Sequence, residues 1–373
     1  MLVLLIGHRI GITKALEKLE VPYILWAEKA PKNKLHSKKI IVAEYPKTEE
    51  DFLHHFNKSF KITDVIAGGE HSVIPASKIR RWLDVKRNSH SVILKCTDKL
   101  KMKKYLSEKG ILSTKFLPSK DHTAEDIVSE LGLPVVCKVK LSSGGRGVEF
   151  LKTIEEVEKN LKRNVYFEKA IKGTEGSVES LIIDKKIIFS SLTEYHINGK
   201  CNKIPATFSP KIKKSLFELN AKVIESLQIK WGLTHLEYYL TRDGILFGEV
   251  ALRPPGGYIM DILELVYGQS FWELFVKVEV GIENIEFNEI KNHAASIIIH
   301  PGVGEVKKIK GLERIERLPS FKKIKLKLRV GDQIEERNGV GEDLGYVFLA
   351  HKDQEQLNKD VDQFHKIFEI QLS

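Results

Sequence analysis

Two glutamates, in Thr234-His235-Leu236-Glu237-Tyr238 and Phe247-Gly248-Glu249-Val250, flank Asp243-Gly244, a strong two-strand turn signal. A hairpin turning there sets Glu237 and Glu249 opposite each other on paired strands. Two carboxylates that close, in segments apolar enough to be buried, repel unless a cation lies between them. Oxygen-only ligands suit magnesium, which takes one or two carboxylates and completes its shell with substrate phosphates; manganese is served by the same oxygens. Exposed strand glutamates with lysine neighbours are the plainer reading, and the apolar context disfavours it. Arg253-Pro254-Pro255-Gly256-Gly257 follows directly. A guanidinium there can grip a carboxylate or offset charge on a transferring phosphoryl group. Gly256 and Gly257 would let backbone N–H groups reach the same substrate.

Phosphate chemistry is suggested further upstream. Ser142-Ser143-Gly144-Gly145-Arg146-Gly147 follows a strand-like run, and small residues let backbone N–H groups approach phosphate oxygens. Taken alone, the segment reads equally well as a flexible hairpin. Lys138 ends the strand before it and Lys99 opens an earlier helix, two mobile positive charges suited to a polyphosphate. In Tyr166-Phe167-Glu168-Lys169-Ala170-Ile171, an acid ending an apolar strand can sit at an inter-domain hinge. Backbone groups there can bond a purine, while Glu175, seven residues on, accepts from ribose hydroxyls; taken alone, the segment reads better as a strand end followed by a polar turn.

These residues need a scaffold of alternating elements. Leu2–Ile6, Val21–Trp26, Lys39–Val42 and Asp64–Ala67 read as strands with helices between several of them, which predicts a parallel, doubly wound first domain. Gly7-x3-Gly11 is less than a dinucleotide fingerprint. A second unit begins near Cys96, with Thr97 the expected cap of a helix running to Lys109 and stopping at Gly110. Pro134–Lys140, Val165–Lys169, Val178–Ile183, Lys186–Leu192, Leu233–Leu240 and Ile245–Val250 are expected strands; Leu216–Leu227 is an expected helix. Short strands and a helix near Gln356–Phe368 complete the chain. The expected class is α/β (α+β overall), divided at 1–94, 95–290 and 291–373, with a lid at about 112–167.

With 373 residues, 42% of them hydrophobic and 29% charged, the chain can fill several cores. No run approaches the roughly 20 apolar residues that cross a bilayer. Met1–Ile6 lacks a basic start and is too short for a signal core, so it is read as a strand. Cys96, Cys137 and Cys201 show no metal or disulfide spacing, and a reduced, cytoplasmic protein is expected. A net charge of +10 raises nucleic-acid binding, but no recognition module accompanies the lysine runs. Solvated faces and a favourable field for an anionic ligand suffice. Neither nucleic acid nor membrane is expected as a partner. Oligomeric state is unreadable, a homodimer being the commonest default.

In order and spacing, these motifs resemble the ATP-grasp superfamily, in particular its carboxylate–amine ligases, the L-amino acid ligase and carnosine-synthase-like branch. The resemblance spans nearly the whole chain, from Thr97-Asp98-Lys99 through the 142–147 loop, FEKAIKGTEGSVE, THLEYYL and GEVALRPPGG to IIHPGVGEV. It implies an ATP-grasp fold: a Rossmann-like pre-domain, an ATP-binding lid and central domain, and a small β-rich C-terminal subdomain. It also implies ATP phosphates at Lys99 and Lys138 under Ser143, Gly144 and Gly145, adenine at Glu168, Lys169 and Ala170, and ribose at Glu175. Glu237 and Glu249 become metal ligands, with Glu249 next to the nucleotide. Arg253 and Lys138 become catalytic, and Arg253, Gly256, Gly257 and His235 face substrate. Many members carry Asn two residues after the second metal glutamate; here Ala251 leaves the metal count open.

The implied reaction is ATP-dependent amide formation between small-molecule carboxylate and amine substrates through an acyl phosphate, the glycine-rich loop excluding water. A biotin-carboxylase-like or purine-pathway carboxylating enzyme, or a non-catalytic ATP-binding regulator, shares the architecture. His235, Glu194, His196 and His300 are candidate bases, and Glu194–Pro210 is expected to be a substrate-facing loop.

Overall fold

In the computed structural model, residues 1–56, 60–282, 284–337, 339 and 341–373 are described. Strands Val3–Ile6, Tyr23–Ala27, Lys39–Val42 and Asp64–Ala67 form a parallel sheet with Val3–Ile6 beside both Tyr23–Ala27 and Asp64–Ala67. Every residue of Val3–Ile6 and Tyr23–Ala27 is buried, as expected where helices cover both faces of a parallel sheet. Gly7 leaves the first strand at φ +83°, a conformation that favours glycine. Gly11 has a packing role instead: it lies in the helix Ile10–Lys18, and a β-carbon there would meet the Trp272 ring at 2.3 Å.

Two seams fix this sheet to the rest of the chain. Arg80, buried, donates to the Val65 carbonyl and pairs with Glu279 at 2.9 Å. Arg87 pairs with Asp64 at 2.8 Å and lies over the Trp231 ring. The helix Glu70–Trp82, carrying Arg80, is thereby held at the edge of the site.

A four-stranded antiparallel sheet follows, ordered Phe116–Pro118, Val165–Lys169, Val135–Val139, Val148–Leu151. Helices Ala124–Leu131 and Ile154–Leu161 pack on it around Ile127, Val135, Cys137, Val157 and Phe167. Each helix opens with a threonine capping box, Thr123 with Asp126 and Thr153 with Glu156.

The largest sheet has eight antiparallel strands. It runs Gly244–Ala251, Gly232–Thr241, Thr174–Ile183, Lys186–Ile197, Cys201–Ile204, His293–Ile299, Gly345–His351 and Phe321–Leu326. Strands from both sides of residue 290 therefore share one sheet. Alternation along Thr174–Ile183 explains its two cores: Leu181 and Ile183 pack with the helices Ile259–Tyr267 and Phe271–Glu279, whereas Val178 and Ile182 pack with Pro210–Leu227. The Asp184-Lys185 turn joins Thr174–Ile183 to Lys186–Ile197, both of its residues at positive φ.

Two local expectations are corrected. Thr97 ends the helix His90–Thr97 and bonds back to the Ile93 carbonyl; Asp98, extended, caps Lys99–Glu108 through the Lys101 N–H at 3.0 Å. Residues 194–204 form a hairpin, turning at Asn198-Gly199, because the alternating 193–197 and 201–204 runs pair. Among the described residues no helix is long and apolar enough to cross a membrane.

Gly11→Ala should lower unfolding free energy by about 1–3 kcal/mol, since a methyl there overpacks a helix contact. Urea unfolding measures it; an unchanged midpoint would show that Trp272 moves aside freely.

Candidate active site

A cavity of about 620 Å³ opens between the eight-stranded sheet, the four-stranded antiparallel sheet and the segments at Arg9 and Glu70 that follow strands of the parallel sheet. It is lined by Lys99, Lys138, Ser143, Gly144, Gly145, Glu168, Lys169, Glu175, His235, Glu237, Glu249, Arg253, Gly256 and Gly257. Of the residues assigned from sequence to nucleotide, metal or substrate binding, Ala170 alone is not a lining residue; Ile171 reaches the cavity instead.

Glu237 and Glu249 face each other in register, with a bulge immediately after Glu237. Each carboxylate is met by a cation. Lys99 pairs with Glu249 at 2.6 Å. His235 Nε2 lies 3.5 Å from Glu237, while its Nδ1 lies 2.8 Å from Glu179. Glu179 is itself fixed by the hydroxyls of Ser177 and Thr193, at 2.7 and 2.5 Å. Burial pulls His235 down, but the two flanking carboxylates outweigh it and raise its pKa to about 9. It is therefore a cation bracing Glu237, with no free lone pair for a base. Burial pushes Glu237 up, and His235 with Lys99 brings it to about 2. Ala251 stands opposite His235 and offers no ligand. Among the described residues no group of three or more His, Cys, Asp or Glu side chains has metal-site geometry. Two opposed carboxylates fit a magnesium ion whose remaining ligands are phosphates and water.

On the hinge side, Glu168 is 2% exposed and lies between two lysines. Lys138 approaches one oxygen at 2.8 Å and Lys103 the other at 2.9 Å. Burial raises Glu168, but the two ammoniums overcome it and hold the carboxyl at about 2. This carboxylate is committed to lysines and is not offered to a base. Glu175 accepts from Asn198 at 2.7 Å, and burial raises its pKa.

The opposite wall is rich in arginine. Arg253 pairs with Glu70 at 2.5 Å and donates to the Pro254 carbonyl at 3.0 Å. Arg9 donates to the carbonyls of Pro254 and Pro255 and lies over Trp272. Burial, then Arg253, lowers Arg9 to about 10. Asn202 and Ser296 both donate to the Gly257 carbonyl at 2.9 Å, holding the residue at φ +60°. Arg337 reaches in from the C-terminal part, donating to the carbonyls of Gly199 and Gly339. Its Nη2 is buried without a hydrogen-bond partner among the described residues. Gly339 packs so tightly on the glycine-rich loop that a β-carbon would come within 2.7 Å of the Gly144 carbonyl.

Sequence reasoning missed Arg9, Glu70, Lys103, Asn202 and Arg337. Only Lys103 left a local signal, one helical turn after Lys99. Of the candidate bases, Glu194, His196 and His300 are not lining residues, and Glu194 is engaged by the Thr207 N–H at 3.1 Å.

Residues 104–261 match the ATP-grasp domain, and residues 296–373 match L-amino acid ligase C-terminal domain 2. An L-arginine-specific L-amino acid ligase of Bacillus subtilis is 25% identical over 317 residues, spanning 79% of this chain and 76% of that protein. The structure of an L-amino acid ligase from Bacillus licheniformis superimposes with a TM-score of 0.83 at 19% identity, covering 100% of this chain and 98% of that one. N5-carboxyaminoimidazole ribonucleotide synthetase from Thermotoga maritima gives 0.77 at 22% identity, covering 100% and 99%. These two superpositions establish the fold.

Glu168 sits below an ordinary carboxylate, so its contribution is complete above about pH 4.5 and is lost as pH falls toward about 2. The shift corresponds to about 3 kcal/mol. Urea unfolding at pH 5 and pH 3 should show a shallower decline in Glu168→Gln than in the wild type. Parallel declines would mean that the carboxylate is unpaired.

Proposed function

We propose that this chain, which belongs to the ATP-grasp ligases, joins a carboxylate to an amine through an acyl phosphate, with amino acids as substrates. One observation carries the reading: a single hairpin brings Glu237, Glu249 and, four residues on, Arg253 to a cavity that also holds Lys99 and Lys138.

ATP lies with its phosphates toward Lys99 and Lys138, beneath Ser143, Gly144 and Gly145. The 168–170 backbone meets adenine, and Glu175 accepts from the ribose. Glu237 and Glu249 are the residues that would hold magnesium, which when bound neutralises phosphate charge and polarises the transferring group. Arg253 exchanges its Glu70 partner for the substrate carboxylate or for the forming phosphate.

A carboxylate oxygen attacks the γ-phosphorus, the bond to the β,γ-bridging oxygen breaks, and ADP leaves with the electron pair. The amine nitrogen then attacks the acyl carbon, phosphate departs, and the nitrogen loses a proton. Lys138 and Arg253 offset charge that grows at the transferring oxygens, which is positioning and electrostatics rather than covalent catalysis. Closure of the 142–147 loop keeps water from the acyl phosphate.

Phosphate release should be screened over amino acids, singly and in pairs, with bicarbonate as a separate arm. ADP, phosphate and an amide in equal amounts are expected; turnover driven by bicarbonate alone would favour a carboxylating enzyme. Glu249→Gln should cut turnover by about 10³-fold or more with circular dichroism unchanged, since a metal-ligating charge is lost. Arg253→Ala should lower kcat/KM by about 10²-fold or more; wild-type kinetics would reduce Arg253 to a turn residue.

A further inference from the structure

Lys103 is the most buried lysine or arginine among the described residues, at 2% exposure, and it is not among the residues lining the cavity. Its ammonium meets Glu168 Oε1 at 2.9 Å and donates to Thr114 Oγ1 at 2.9 Å, with the Phe116 ring 6.0 Å away. Lys138 takes the other oxygen of Glu168 at 2.8 Å and does face the cavity. One carboxylate thus has two cations, one locked in the interior and one at the surface of the site.

A phosphate-binding lysine must be able to leave its resting partner. Were Lys138 the sole partner of Glu168, its departure would strand an ionised carboxylate in the interior, which is strongly unfavourable. With Lys103 in place the carboxylate keeps a counter-ion whichever way Lys138 turns. We infer that Lys103 is a positioning residue, the resident counter-ion of Glu168 that frees Lys138 to engage the triphosphate. The inference rests on the ATP reading above.

The test is ATP affinity, by displacement of a fluorescent ATP analogue, in the wild type, Lys103→Met and Lys103→Met/Glu168→Gln. Lys103→Met should bind ATP about ten-fold more weakly or worse, because Lys138 is now locked to Glu168. Removing the carboxylate as well should release Lys138 and restore affinity to within about three-fold of the wild type. Wild-type affinity in the single variant, or equal weakness in both, would overturn the inference. Should Lys103→Met fail to fold by circular dichroism, Glu168→Gln alone decides. ATP binding as tight as the wild type or tighter supports the role, and binding about ten-fold weaker contradicts it. A wild type that binds no ATP would instead overturn the proposed function.

Discussion

Two carboxylates fixed opposite one another in a sheet repel, and the surroundings of Glu237 and Glu249 follow from that constraint. The register of Gly232–Thr241 on Gly244–Ala251 leaves the pair no freedom to separate. Positive charge must therefore be supplied from neighbouring elements. Lys99 brings it from a helix N-terminus and His235 from the strand itself, with Glu179, Ser177 and Thr193 keeping the imidazole protonated and oriented. A bound cation with its phosphates would replace part of that arrangement.

The same design recurs at the hinge and at the arginine wall. Glu168 is shared by two lysines, and Arg253 rests on Glu70. In each case a charge at the cavity is held in an ion pair that a ligand of matching charge could open. Storing it this way avoids bare buried cations, whose desolvation would otherwise destabilise the fold. The glycines serve the same economy of space: Gly257 is held by Asn202 and Ser296, and Gly339 fits against Gly144 only without a side chain.

Much of this was legible in the residues because it is local. Asp243-Gly244 between alternating strands sets the register of Glu237 on Glu249, and Lys138 precedes its glycine-rich loop within one strand–turn unit. What escaped is set by distant partners. Glu70 meets Arg253 across 183 positions, and Arg9 reaches the Pro254 carbonyl across 245; no periodicity announces such pairs. Thr97, which by type and place could cap the next helix, cannot do so because a second helix ends on it. Gly11, weak as a nucleotide signal, is required by a tryptophan 261 residues away, which only the packed structure reveals.

The claim that the cavity activates a carboxylate by phosphorylation is tested most directly by following the carboxylate oxygen. A substrate carboxylate labelled with oxygen-18 should deliver one labelled oxygen to each phosphate released alongside amide. Unlabelled phosphate would mean that ATP is simply hydrolysed by water, and pyrophosphate with AMP would mean that an adenylate forms instead; either result contradicts an acyl phosphate at this site.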